Sequence, residues 1–335
     1  SEMCIRDSNR GIELQLNAWL IETKDFSLNA TFNIGHNKNK IDKLASGEKE
    51  WILTSAWRND VVNSDDYRAY VGGTSGLIYG YVNDGFYTVA DFESFDSKSR
   101  TWKLKEGVVD SSPLSDTPRP GNAKFKKLTP VDPNSTNPYQ LTEADRTVIG
   151  NTTPKFSGGF GLNATYKGFD MSMFFNFMYD FDVLNANKIM LTTWADNKEN
   201  NFLMDIASDK RWRNFDDMGN EIRYSPEVLA EFNKNATMWN PTSIGRPICM
   251  SYAVEDGSFL RLNSATLGYT LPSVWTKKVG LSKVRFYVSG NNLFTLTGYS
   301  GYDPEVNIAT GLTPNIDYNR YPRSRTYTFG AQLTF

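Results

Sequence analysis

Apolar and polar residues alternate with a period of two along seven stretches of this chain, the pattern of strands whose two faces meet different media. Phe26, Leu28, Ala30, Phe32 and Ile34 alternate with Ser27, Asn29, Thr31 and Asn33, and before them Ile12, Leu14, Leu16, Ala18 and Leu20 alternate with Glu13, Gln15 and Asn17. Phe156, Gly158, Phe160, Leu162, Ala164 and Tyr166 lead into Lys167-Gly168, and Phe169, Met171, Met173, Phe175, Phe177 and Tyr179 follow. An X-Gly pair between alternating runs predicts a two-residue hairpin. Pairing across it keeps the sum of residue numbers constant, so Tyr166 faces Phe169, Ala164 faces Met171 and Leu162 faces Met173, with all partners on one face. Three further runs carry Ala265, Leu267, Tyr269 and Leu271, then Val284, Phe286 and Val288, then Tyr327, Phe329, Ala331, Leu333 and Phe335.

The predicted strands cover about 11–21, 26–37, 156–166, 169–180, 258–271, 282–293 and 324–335. They are longer than the roughly 5–6 residues usual in soluble sheets and match the roughly 9–11 that cross a bilayer at a tilt. Aromatics gather at their ends, as interfacial girdles require, and the opposite face of Asn, Ser, Thr, Gly, Lys and Arg suits a wet lumen. Backbone groups in lipid must all be paired, so such strands call for closure into a barrel. The predicted fold class is therefore all-β, a membrane-spanning antiparallel β-barrel. A soluble β-sandwich is the alternative that alternation alone permits.

Short connections (22–25, 167–168, 272–281) alternate with long ones (38–155, 181–257, 294–323), which predicts periplasmic turns and large extracellular loops. Seven is an odd number, and a first strand arriving from outside needs strands before it. The chain therefore reads as one piece of a larger barrel. Residues 1–8 (SEMCIRDS) fit neither strand nor loop logic and read as a non-native leader to the barrel portion, 9–335.

Composition sharpens the picture. The 335 residues are 39% hydrophobic and 14% aromatic, with a mean hydropathy of −0.48, poor for a globular core. A barrel needs none, and the expectation is that the apolar residues are spent on one outward face and diluted by the loops. Lys and Arg number 36 against 38 Asp and Glu, a net charge of −2 that argues against nucleic acid as a partner. The lone His36 leaves no His-based acid–base pair or multi-His metal site, and Cys4 and Cys249 form no C-x-x-C. No nucleophile, zinc-protease or phosphate-loop motif is present. The carboxylate pairs Asp65-Asp66, Asp216-Asp217 and Asp303/Glu305 lack the rigid cleft of a glycosidase, and loop turns and solvated faces account for them. No enzyme activity, cofactor or metal is expected.

Several motifs, in order, resemble one family. They are Pro154–Phe160 (PKFSGGF), Tyr166–Asp170 (YKGFD), Glu255–Leu262 (EDGSFLRL), Leu267–Pro272 (LGYTLP), Val288–Phe294 (VSGNNLF), Tyr299–Val306 (YSGYDPEV) and Tyr321–Phe329 (YPRSRTYTF). Together they resemble the SusC/RagA family of TonB-dependent outer-membrane transporters of Bacteroidetes. The resemblance implies a 22-stranded barrel occluded by an N-terminal plug, a SusD-like surface lipoprotein as partner, energy from TonB–ExbB–ExbD, and import of oligosaccharides or peptides. Plug, TonB box and signal peptide would lie outside this chain. A non-transporting structural or adhesin barrel is the other reading. One departure concerns an acidic, Ca²⁺-loop-like segment of the family: Lys127 stands where its first carboxylate would be, and Thr142 with Asp145 reads as a capping pair for one helical turn.

The long connections also carry Trp51, Trp57, Trp194, Trp212 and Trp239. Exposed indoles there could stack on a ligand or meet a partner, and packing of the loops is the alternative use. Ser225-Pro226-Glu227 predicts a short helix to about Asn235, and a second is expected within 187–208. The final run places Tyr327, Phe329, Leu333 and the terminal Phe335 as the aromatic-ended strand that barrel assembly machinery recognises, with contact to outer-membrane lipid as the simpler role.

Overall fold

The computed structural model describes residues 5–58, 65–115, 117–193, 201–305, 307 and 311–335. Seven long strands form one antiparallel sheet in chain order: β1 (Arg6–Glu22), β2 (Phe26–Lys43), β3 (Phe156–Tyr166), β4 (Phe169–Tyr179), β5 (Phe259–Thr270), β6 (Lys283–Thr297) and β7 (Thr326–Thr334). The β3–β4 hairpin has the register that the sequence predicts, Tyr166 opposite Phe169 and Leu162 opposite Met173. Lys167 (φ 44°) and Gly168 (φ 92°) supply the two positive φ angles of its turn.

Because neighbours in the sheet are neighbours in the chain, each apolar position continues sideways as a row. At one end Phe26, Tyr166, Phe169, Tyr269 and Phe286 are successive cross-strand partners. Their rings touch in pairs, with centroids 6.4 Å apart for Phe26 and Tyr166 and 4.4 Å for Phe169 and Tyr269. The next row is Leu28, Ala164, Met171, Leu267, Val288 and Phe329. Two irregularities keep the rows in phase. A register shift between Trp19 and Ile21 puts Ile21, not the expected Leu20, beside Leu28, and a bulge at Asn263 returns Leu262 to the row of Phe175 and Phe294.

The strands outrun their predicted outer ends: β2 continues to Lys43 and β6 to Thr297. β1 starts at Arg6, so Arg6, Asp7 and Ser8 of the expected leader pair with Lys43, Ile41 and Lys40. Alternation becomes polar on both faces there, which hides the continuation from a hydrophobic pattern.

The long connections are not diluting loops. They fold into short strands, including a four-stranded sheet (Thr147–Asn151, Leu77–Gly80, Tyr67–Tyr70, Glu50–Leu53) and a three-stranded one (Val254–Asp256, Asp182–Asn185, Ile316–Asp317). Trp57, Tyr67 and Ile78 from the first connection, Leu184 and Ile189 from the second and Ile316 from the third share one buried cluster. A second cluster joins Tyr81, Phe125, Ile206, Trp239 and Met250. The expectation that apolar residues serve one outward face is corrected: ten of the twelve largest fully buried side chains lie in these connections. Helix α1 (Ala186–Met190) and helix α2 (Pro226–Phe232) are both here. α2 ends before the predicted Asn235 because the buried Asn233 side chain is bonded to both backbone groups of Arg213 (2.7 and 2.9 Å), which turns the chain out. Among the described residues no helix is long and apolar enough to cross a membrane, which says nothing of strands.

Candidate functional site

The polar face of the sheet, a wall of seven strands, carries continuous rows of hydroxyl and amide side chains, some of them bonded in pairs. Asn29, Asn163, Ser172, Thr266, Ser289 and Thr328 are successive partners across β2 to β7. Thr266 and Ser289 hydroxyls lie 2.9 Å apart, and the Asn29 amide donates to Asn17 Oδ1 at 2.8 Å. Side chains that cross this face need glycine beneath them. Arg285 reaches Asp170 Oδ1 (2.9 Å) over Gly268, where a Cβ would sit 2.4 Å from the guanidinium, and Tyr287 lies over Gly330 in the same way. Phe174 also lies on the polar face, 38% exposed above Gly159 and Gly161. Sequence reading missed it, although the adjacent Phe174-Phe175 pair forces one ring onto each face.

A second feature joins the wall to the outer module. Arg261 on β5 is 1% exposed and bonds Asp303 Oδ1 at 2.6 Å and Thr295 Oγ1 at 3.1 Å, with Glu305 Oε2 2.8 Å from its Nη1. Arg323 approaches both acids, at 3.9 and 3.4 Å. Asp303 and Glu305 are thus a charged seam and not the solvated pair that the sequence suggested. Asp66 departs likewise: it is fully buried and accepts the Ser55 backbone N–H at 2.7 Å. Burial pushes its carboxyl up to about 6 against those bonds. Asp216, by contrast, is spent on its own turn, accepting Met218 N–H and Asn220 N–H at 2.9 and 2.8 Å.

The segment with the Lys127 departure is explained by its contacts. The Lys127 ammonium lies among Thr129 Oγ1 (2.9 Å), the Gln140 carbonyl (3.0 Å) and Asp145 Oδ2 (3.4 Å). A tethered cation therefore fills an oxygen cage. Burial by itself would raise the Asp145 carboxyl, but bonds from Thr129, Thr142 and Leu128 outweigh it and hold the group well below the ordinary carboxylate range. Thr142 and Asp145 form the predicted capping box of a single turn, Glu143–Asp145. Among the described residues no cluster of three His, Cys, Asp or Glu side chains is placed to hold a metal.

Four of the five candidate tryptophans lie among the described residues, and Trp194 lies outside them. Trp57, Trp212 and Trp239 are 7, 2 and 1% exposed, inside the outer clusters. Trp239 donates to the Thr192 carbonyl at 3.3 Å, and Trp57 packs edge-on against Tyr318. The half-buried Trp51 donates to Glu48 and packs on Ile41, Leu44 and Ala69. The indoles of Trp57, Trp212 and Trp239 are occupied by protein, so loop packing is the use that the geometry gives these three. At the other end of the chain Tyr327, Phe329 and Leu333 stand beside Gly290, Val288 and Val284 of β6, and the Phe335 carbonyl accepts from Ser282 Oγ at 3.3 Å. All four of these side chains are exposed along the free edge of β7.

No protein-family model matches the chain. Relatives do. It is 32% identical over 333 residues to TonB-dependent receptor P3 of Formosa agariphila, covering 98% of this chain and 28% of that protein. It is 26% identical over 333 residues to TonB-dependent receptor SusC of Bacteroides thetaiotaomicron, covering 98% of this chain and 26% of that protein. Among solved structures, the RagAB peptide transporter superposes with a TM-score of 0.64 at 21% identity, covering 98% of this chain and 29% of that one. The chain thus spans less than a third of the length of each of these three proteins. A wall with one apolar and one polar face, an outer module on its long connections and a likeness that runs through nearly the whole chain lead to one conclusion: this chain belongs to the SusC/RagA family of TonB-dependent receptors, as part of a membrane-spanning β-barrel.

Proposed function

We propose that the chain is part of an outer-membrane nutrient importer that takes up oligosaccharides or peptides, works with a SusD-like surface lipoprotein and draws energy from TonB–ExbB–ExbD. The observation that carries this reading is the two-faced wall. Apolar rows ending in a band of five aromatics suit the outer-membrane lipid boundary, while the opposite row of hydroxyls and amides suits a water-filled passage. The outer module offers the surface that a lipoprotein or a substrate would meet first. Deleting the gene should abolish growth on particular glycans or peptides, and disrupting TonB should reproduce the defect. Unchanged growth across the panel would favour a barrel that only binds.

The same reading gives the free edge of β7 a second use. Tyr327, Phe329, Leu333 and Phe335 would present the strand that the barrel assembly machinery engages. Deleting Phe335 from the intact protein should then lower its outer-membrane yield more than Phe286→Ala, which trims the lipid-facing band alone. Equal yields would leave lipid contact as the whole role of Phe335.

A further inference from the structure

The outer module contains a groove whose chemistry neither the wall nor the seam explains. One cavity of about 160 Å³ lies between the segments around Trp102, Asn214 and Asn240. A neighbouring one of about 370 Å³ shares Asn214, Arg223, Asn240 and Thr242 with it and adds Arg211 and Arg213.

The unspent polar groups facing these cavities are mostly donors. Asn240 Oδ1 already accepts from Thr242 N–H at 3.0 Å and Thr242 Oγ1 at 2.8 Å, which leaves the Nδ2 protons. Arg223 meets Glu221 through Nε at 2.6 Å, so the fork of its Nη groups remains for another partner. Among the described residues the Trp102 indole N–H and the Asn214 amide bond to no other side chain or backbone group. The nearby acids are taken: Asp216 by its turn, Asp217 by Arg213 at 2.8 Å and Glu221 by Arg223. A cavity that offers a guanidinium fork, amide protons and an indole proton is matched by an oxyanion beside hydroxyls.

We infer that this groove binds an acidic saccharide, its carboxylate or sulfate ester on the Arg223 fork and its ring hydroxyls on Asn214, Asn240 and Thr242. The inference rests on the importer reading and names the class of molecule imported. The lining also presents the rings of Trp102, Phe215 and Tyr224, on which a sugar ring stacks; a peptide held by a strand edge or by apolar side-chain pockets is the competing ligand that the glutamate tripeptide tests.

The test is calorimetric titration of the intact purified protein with a hexuronate trimer, its neutral hexose counterpart and a glutamate tripeptide. The hexuronate trimer should bind at least about tenfold more tightly than the neutral trimer. Arg223→Gln should weaken the hexuronate about tenfold and leave the neutral sugar unchanged. Should that variant fail to fold, Asn240→Asp keeps the acceptor for Thr242 and sets a carboxylate against the ligand, with the same selective loss expected. Equal binding of both trimers, insensitivity to both variants, or binding of the glutamate tripeptide alone overturns the inference. Growth on a neutral nutrient that depends on the protein, without hexuronate binding, overturns the groove and leaves import standing. Hexuronate binding without uptake overturns import and leaves the groove.

Discussion

The wall and the outer module are both antiparallel β-structure, yet they are held together in opposite ways. Wall strands run from 9 to 18 residues and are mostly exposed or half-buried on both faces, whereas outer strands run from 2 to 5 residues and enclose fully buried side chains. The wall pairs every row with its neighbour and leaves its apolar face for lipid, so its stability lies in ladders and closure. The outer module buries Tyr67, Ile78 and Leu184 as a soluble domain would, and with them the charges of Asp66 and Asp145. A lost contact should therefore cost little in the wall and much in the module.

The largest effect is expected where the two regions meet. Arg261→Met would leave the buried Asp303 and the half-buried Glu305 with the exposed Arg323 as their remaining cation, 3.9 and 3.4 Å away, so the cost should lie toward the lower end of the about 3–5 kcal/mol of a stranded buried ion-pair partner. The outer connection around Asp303 should then lose hydrogen-exchange protection while the barrel keeps its heat-resistant mobility on gels. Loss of both together would mean that wall and module are one cooperative unit.

Asp66 gives the next effect, inside the module. Its folded pKa of about 6 lies above the ordinary value of 3.8, with burial as the main cause. The folded state therefore holds the proton more tightly than the unfolded chain. That contribution is fully present below about pH 3.8 and is lost as the pH rises through about 6, leaving an ionised buried carboxylate that costs roughly 3 kcal/mol at neutral pH. Asp66→Asn should raise exchange protection of Leu77–Gly80 at pH 8 and make no difference near pH 4. A parallel offset at both pH values would show that lost packing, not charge, sets the effect.

The same contrast explains what was legible in the sequence. Alternation from Phe26 to Ile34 and from Phe156 to Tyr179 located the wall, and the Lys167-Gly168 turn set its register, because one apolar and one polar face leave a period-2 record. The bulges at Leu20 and Asn263 were invisible, since a phase change inside an apolar run looks like noise. The module left no period: Tyr67, Ile78, Leu184 and Ile316 meet from three connections, and their cluster has no local signature. Arg261, Asp303 and Glu305 stand in motifs that carry the family resemblance, but the meeting of Arg261 with Asp303 across 42 positions is a tertiary fact. Trp57, Trp212 and Trp239 were candidate ligand contacts because tryptophan marks both interfaces and cores, and only burial separates the two.

The smallest expected effect is the sharpest test of the polar face. Ser289→Ala removes one partner of the 2.9 Å contact with Thr266 on the wall. If that face meets water, Thr266 exchanges its lost partner for solvent, and the cost is that of a cross-strand pair, about 0.2–1 kcal/mol. Urea unfolding of the intact barrel in detergent, followed by tryptophan emission, should show a shift in midpoint of that small size. A loss above about 2 kcal/mol would mean an unsatisfied buried hydroxyl, and the polar face would then be a packed interior instead of the wall of a passage.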